Sequence, residues 1–167
     1  MKNYFVLVVN GSRARFFTLQ PADNSELESG PNLVQLGNSE NEVAAQPGRA
    51  VFTDEQHRNR APMGGAHGYD DHRDKHDEEF RKRFVDRVMK LARGHLDAAD
   101  ILVVAANPRM LGHLRTALKA LPTNGTELRE YPHDVSKLSP RKIHEHLASG
   151  GLVPERRDPT QATPFRE

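Results

Sequence analysis

The sequence predicts a mixed α/β domain, and three observations carry that reading. A β-hairpin signal opens the chain, a fully apolar run lies at Ile101 to Ala106, and helical periodicities flank that run on both sides. Tyr4 to Val9 is an unbroken apolar stretch rich in β-branched residues, Asn10-Gly11 is a favoured hairpin turn, and Arg13 to Leu19 resumes with aromatic and apolar residues. Leu33 to Leu36 reads as a third strand after the turn-rich ADNSELESGPN. From Asn38 to Gly68 the chain turns to Asn, Gln, Gly, Pro, Ala and charge, with Val51-Phe52 as an apolar anchor, so a long loop is predicted over about residues 38–73. Ordering so long a segment costs backbone entropy without burying apolar surface, which makes such loops functional or disordered.

From Asp74 onward Phe80, Phe84, Val88, Leu91 and Ala92 recur at helical spacing and predict a helix that lays one stripe on a sheet. Ile101 to Ala106 suits a central strand covered on both faces. Asn107-Pro108 supplies a cap and a first-turn proline for a second helix, with Met110, Leu111, Leu114, Leu118 and Leu121 as its buried stripe and Pro122 and Asn124-Gly125 as its stop. Thr126 to Tyr131 alternates as a peripheral strand would. Ser139-Pro140 then repeats the cap-and-proline signal before a third helix reaching about Ala148. The predicted order is β-β-β, long loop, α-β-α-β-α, giving one domain over residues 1–149 and a mobile tail over 150–167.

At 167 residues the chain has room for one ordinary core. Lys+Arg 24 against Asp+Glu 23 leaves a formal charge of +1, so attraction to nucleic acid has to come from local clusters. The absence of cysteine excludes disulfides, thiolate zinc sites and cysteine nucleophiles. The apolar run in MKNYFVLVVNG is shorter than the roughly 7–15 residues of a signal-peptide core, and no segment approaches the roughly 20 of a membrane helix. With a mean hydropathy of -0.73, the expected address is the cytoplasm, with no membrane contact.

Four segments in order, VVNGSRARFF, PGRAVF, EEFRKRFVDRVMKLARGHLDAADILVVAANPRMLGHLRTAL and HDVSKLSPRKIHEHL, resemble the bacterial host-attachment protein family from Met1 to Ala148. That family is similar to the middle domain of archaeal and eukaryotic class-1 peptide-release factors, so the resemblance implies a ribonuclease H-like sheet and work on or near the ribosome. In release factors a Gly-Gly-Gln tripeptide precedes a long helix; Gly64-Gly65 stand there in this chain, followed by Ala66. The glutamine helps to place water at the peptidyl-tRNA ester, and an alanine side chain cannot do so, so release activity is not expected. Ribonuclease H enzymes carry a metal-binding acid on the first strand, whereas this first strand runs into Asn10, which disfavours metal-dependent nuclease chemistry. The family's attachment phenotype is then expected to arise indirectly, from inside the cell.

Arg83, Arg87 and Lys90 fall at i, i+4 and i+7 and can follow RNA phosphates, with Arg13 and Arg15 on the hairpin and Arg58, Arg60, Gly64 and Gly65 in the loop as companions. The alternative is a solvated helix whose acids Asp74, Asp77, Glu78 and Glu79 precede its bases, as the helix dipole favours. His72 and His76, with His67 nearby, have a spacing that can share a metal ion, but no third ligand is fixed by spacing, histidines in such polar loops are usually solvent-exposed, and no metal site is expected. Asn107 and Arg109 lie where a strand gives way to a helix, a usual place for ligands, although capping alone accounts for Asn107. Arg49 follows a Pro-Gly turn, and His144 and His146, at i and i+2, should diverge on a helix. No nucleophile elbow, phosphate-binding loop or zinc-protease motif is present, and no cofactor is expected. The expected function is a non-catalytic module that binds RNA or associates with the ribosome through rRNA or tRNA. The alternatives are a protein-interaction module acting on attachment through protein partners and a metal-dependent hydrolase using the His-rich loop.

Overall fold

Every residue of Tyr4–Val9 is buried, on both sides of the strand, because helices cover both faces of the sheet that this strand centres. The computed structural model describes residues 1–40, 67–122 and 125–159, with the backbone alone at Glu40 and at 67–73. Its elements are β1 (Tyr4–Val9), β2 (Arg13–Gln20), β3 (Asn32–Glu40), α1 (His67–Leu96), β4 (Ile101–Ala105), α2 (Pro108–Lys119), β5 (Glu127–Tyr131) and α3 (Pro140–Ser149). The strand order is β3-β2-β1-β4-β5. β2 pairs antiparallel with both β1 and β3, whereas β1, β4 and β5 are parallel, so the sheet is mixed and opens with the expected hairpin.

Val103 and Val104 point to opposite faces and both are buried, as a central strand requires. On one face Phe5, Leu7, Phe16 and Val104 meet α1 and α2; on the other Val6, Phe17 and Val103 meet Ile143 and Leu147 of α3. Both proline-started helices are capped as the sequence indicates: Asn107 Oδ1 accepts from the Met110 N–H at 2.8 Å, and Ser139 Oγ from the Lys142 N–H at 3.3 Å.

Three boundaries and one buried position differ from the sequence expectation, each for a physical reason. The third strand extends past Leu36 to Glu40, because Asn38, Ser39 and Glu40 pair through their backbones with Arg15, Ala14 and Arg13 and need no apolar side chains to do so. A bulge between Phe16 and Phe17 accommodates the extra length. The first helix begins at His67 rather than Asp74, because its opening turns are polar in sequence and leave no apolar stripe to read. Leu91 is 51% exposed, and the buried stripe is instead Phe84, Val85, Val88, Met89, Ala92 and Leu96. Seven residues fall about 20° short of two full turns, which carries Leu91 out past Phe84 at the edge of the stripe. The tail expected after Gly151 packs back through its first residues, with Val153 buried and Gly30 and Arg157 exchanging two backbone hydrogen bonds of 3.0 and 2.8 Å. His144, buried in α3, donates its Nε2–H to the Pro154 carbonyl at 2.8 Å, while His146 is exposed, so the two imidazoles diverge.

Arg115 of α2 and Glu130 of β5 form a two-pronged pair, Nε to Oε1 at 2.8 Å and Nη2 to Oε2 at 2.6 Å. The hydrogen bonds from Arg115 hold the Glu130 carboxyl below its ordinary range. A carboxyl lowered in the folded state stabilises the fold above its unfolded pKa and loses that contribution as pH falls through the folded value. Arg115→Gln should therefore lower the melting temperature at about pH 7 and make it less sensitive to acid between about pH 5 and pH 3. Parallel melting curves for both proteins across that range would contradict this.

Candidate nucleic-acid interface

Helix α1 is 30 residues long, about 45 Å at roughly 1.5 Å per residue, against about 20 Å for the six residues of β1. The His95 ring lies 5.2 Å from that of Phe5, which places the end of the helix beside the start of β1. The helix therefore runs back along the sheet, and its first half, exposed from Asp74 to Glu79, continues past the end where β1 and β4 finish.

Its outward face is basic. At roughly 100° per residue, Arg83, Arg87 and Lys90 lie within about 60° of one another and opposite the stripe centred on Val88 and Ala92. All three are exposed, and so are Lys82 and Arg93, against one acid, Asp86, between positions 82 and 93. Sequence spacing picks out the three central cations. It misses Lys82 and Arg93, which flank the stripe and share its outward surface only because the opposite face is covered by the sheet. Arg87 also reaches over the Phe84 ring, 6.0 Å from its centroid.

The hairpin arginines do not join this face. Arg15 sits on the α3 side, 4.9 Å above the Phe17 ring, with Nη1 donating to the carbonyls of Ser136 and Leu138 at 3.0 and 2.6 Å and Nε and Nη2 to Gln35 Oε1 at 3.2 and 2.9 Å. Burial, and then the charge of Arg13, push its pKa down. Its guanidinium is thus a clamp between β2, β3 and the loop before α3, a role the sequence does not signal because its partners are distant in the chain. Arg13 is exposed at the start of β2. Arg58, Arg60, Gly64 and Gly65, with Ala66, Arg49 and the Val51-Phe52 anchor, lie outside the described residues.

At the carboxyl ends of the parallel strands a second polar network forms. Asn10 Oδ1 accepts from the N–H groups of Ser12 and Arg13 at 2.9 and 2.7 Å, and its Nδ2 donates to Ser136 Oγ at 2.7 Å. Ser136, 1% exposed, donates in turn to Asp134 Oδ1 at 2.5 Å. Asn10 therefore closes the hairpin and ties it to the loop before α3. Asn107 and Arg109 sit exposed at the same end, with Asn107 engaged as the α2 cap. Asn107→Ala should cost about 1 kcal/mol of unfolding free energy, and Arg109→Ala close to nothing. Equal losses in denaturant titrations would show that the cap does not set the stability of α2. His76 is exposed on α1, and His67 and His72 lie on the same helix with no side-chain placement described. Among the described residues no three His, Cys, Asp or Glu side chains come together as a metal site. No described helix is long and apolar enough to cross a membrane.

A mixed five-stranded sheet with helices on both faces, the longest of them basic on its outward side, defines an α/β domain. Residues 5–147 match the family described as Protein required for attachment to host cells, and the chain belongs to that family. The membership gives it a host-attachment-related role. No curated protein matches the chain.

Proposed function

We propose that this member of the host-attachment family is a cytoplasmic RNA-binding or ribosome-associated module without release activity, and that it influences attachment indirectly. The observation that carries this reading is the outward basic face of α1, where Arg83, Arg87 and Lys90 lie opposite the buried stripe with Lys82 and Arg93 beside them. A row of cations on a helix can neutralise several phosphates at once and gains affinity by releasing their counterions. The resemblance to the middle domain of release factors, with its ribonuclease H-like fold, supports a ribosomal address. Ester hydrolysis is not part of the proposal, because Ala66 stands where that resemblance calls for a water-positioning glutamine.

One observation favours a second reading, a protein-interaction module. Leu91 is half exposed on α1 about 40° around from Arg87, and an apolar side chain beside arginines is the composition of a protein interface. Sedimentation of an affinity-tagged copy through ribosome profiles, from growing and starved cells and over a range of salt, separates the two. Co-migration that falls steeply with salt and is lost after nuclease treatment supports RNA. Salt-insensitive, nuclease-resistant association with a protein would replace the first reading by the second.

A further inference from the structure

On the α3 side of the sheet, at the carboxyl end of β5, a groove of about 330 Å³ lies between Tyr131, His133, Asp134, Lys137 and His146. Its volume is near the lower limit of the roughly 300–1,000 Å³ of small-molecule sites, and the carboxyl end of a parallel strand is where such sites collect. The Tyr131 and His133 rings stand 4.8 Å apart and 60° to one another, forming an aromatic corner rather than a closed stack. A flat ring can lie on one of them and present its edge to the other. The Tyr131 hydroxyl lies 3.5 Å from His146 Nδ1, so the second imidazole stands beside it at the rim. Lys137 is exposed at the opposite wall and makes no ion pair among the described residues. Asp134 lines the groove too, but its Oδ1 is engaged by the N–H and hydroxyl of Ser136, at 2.9 and 2.5 Å. That bonding anchors the loop carrying Lys137, as do the two carbonyl contacts of Arg15 to Ser136 and Leu138. An aromatic corner beside an exposed lysine on an anchored loop is complementary to one nucleotide, with the base on the rings and the phosphate at the cation.

We propose that this groove binds a single nucleotide, its base against Tyr131 and His133 and its phosphate at Lys137, a contact that rests on the RNA reading by giving an unpaired nucleotide a seat on the face opposite the basic helix. The test follows the ring resonances of Tyr131, His133 and His146 by NMR while the full chain is titrated with AMP, adenosine, inorganic phosphate or a short oligoadenylate. AMP should shift all three residues saturably and bind more tightly than adenosine or phosphate. His133→Ala, at an exposed position, should weaken AMP about tenfold with its melting temperature unchanged, and His133→Phe should restore binding. Tighter binding of the oligoadenylate than of AMP identifies RNA as the source of the nucleotide, and the reverse order a free nucleotide. The proposal fails if neither AMP nor the oligoadenylate shifts the groove, if phosphate alone reproduces the AMP shifts, or if His133→Ala binds AMP unchanged. Groove shifts without ribosome co-sedimentation would retire the ribosomal reading alone. Ribosome association without groove shifts would retire this proposal alone.

Discussion

The triple variant Arg83→Glu, Arg87→Glu, Lys90→Glu should lose salt-dependent association with ribosomes while melting within about 4 °C of the parent chain. The three side chains are exposed and lie opposite the buried stripe, so reversing them removes no apolar side chain from the core and costs only the Arg87 contact over the Phe84 ring. Lys90 precedes the end of α1 at Leu96 by more than one turn, which keeps the new acids clear of the strongest part of the helix dipole. If each cation neutralises one phosphate, the slope of log affinity against log salt should shrink by about 2 to 3. Between about 50 and 200 mM salt the parent chain would then lose about 20- to 40-fold more affinity than the remaining contacts of the variant account for. Unchanged association with an unchanged slope would leave the basic face as a solvated helix surface. The exposed Leu91 beside it would then become the first position to substitute in a search for a protein partner.

The parts of this fold legible in the sequence are those in which one local feature decides the outcome. Six apolar residues before Asn10-Gly11 suffice for a buried strand and its turn, and the two cap-and-proline pairs fix the starts of α2 and α3, since their partners lie three residues on. Leu91 was misleading because a seven-residue spacing drifts on a helix, and where the stripe ends depends on how far the sheet reaches. The polar first turns of α1 and the last residues of β3 are set by backbone pairing and leave no hydrophobic pattern to read. The basic stripe was legible from spacing alone, its exposure following from the apolar positions opposite. The role of Arg15 was not, because Gln35, Ser136 and Leu138 lie 20, 121 and 123 residues away. The aromatic groove was equally hidden, since Tyr131 and His146 meet only once α3 folds beneath the sheet.

Arg15→Ala should lower the unfolding free energy by about 3 kcal/mol, equivalent to about 6–12 °C in melting temperature. Alanine would leave the carbonyls of Ser136 and Leu138 and the Gln35 oxygen without their charged donor, and would uncover one face of the Phe17 ring. Charge-assisted bonds of this kind contribute about 1.5–3 kcal/mol each; several share one guanidinium here, and burial already disfavours its charge, so the net loss falls well below their sum. Arg15→Lys should recover little, because a single ammonium cannot span two carbonyls and a glutamine in the fixed geometry of the guanidinium fork. The two candidate roles of Arg15 predict opposite results for ribosome co-sedimentation below the melting transition. A clamp gives an unstable protein that binds as the parent does, whereas an RNA contact gives a stable protein that binds less well and with a shallower salt slope. A variant that melts within about 1 °C of the parent would remove Arg15 from the account of stability and return it to the candidate interface with Arg83, Arg87 and Lys90.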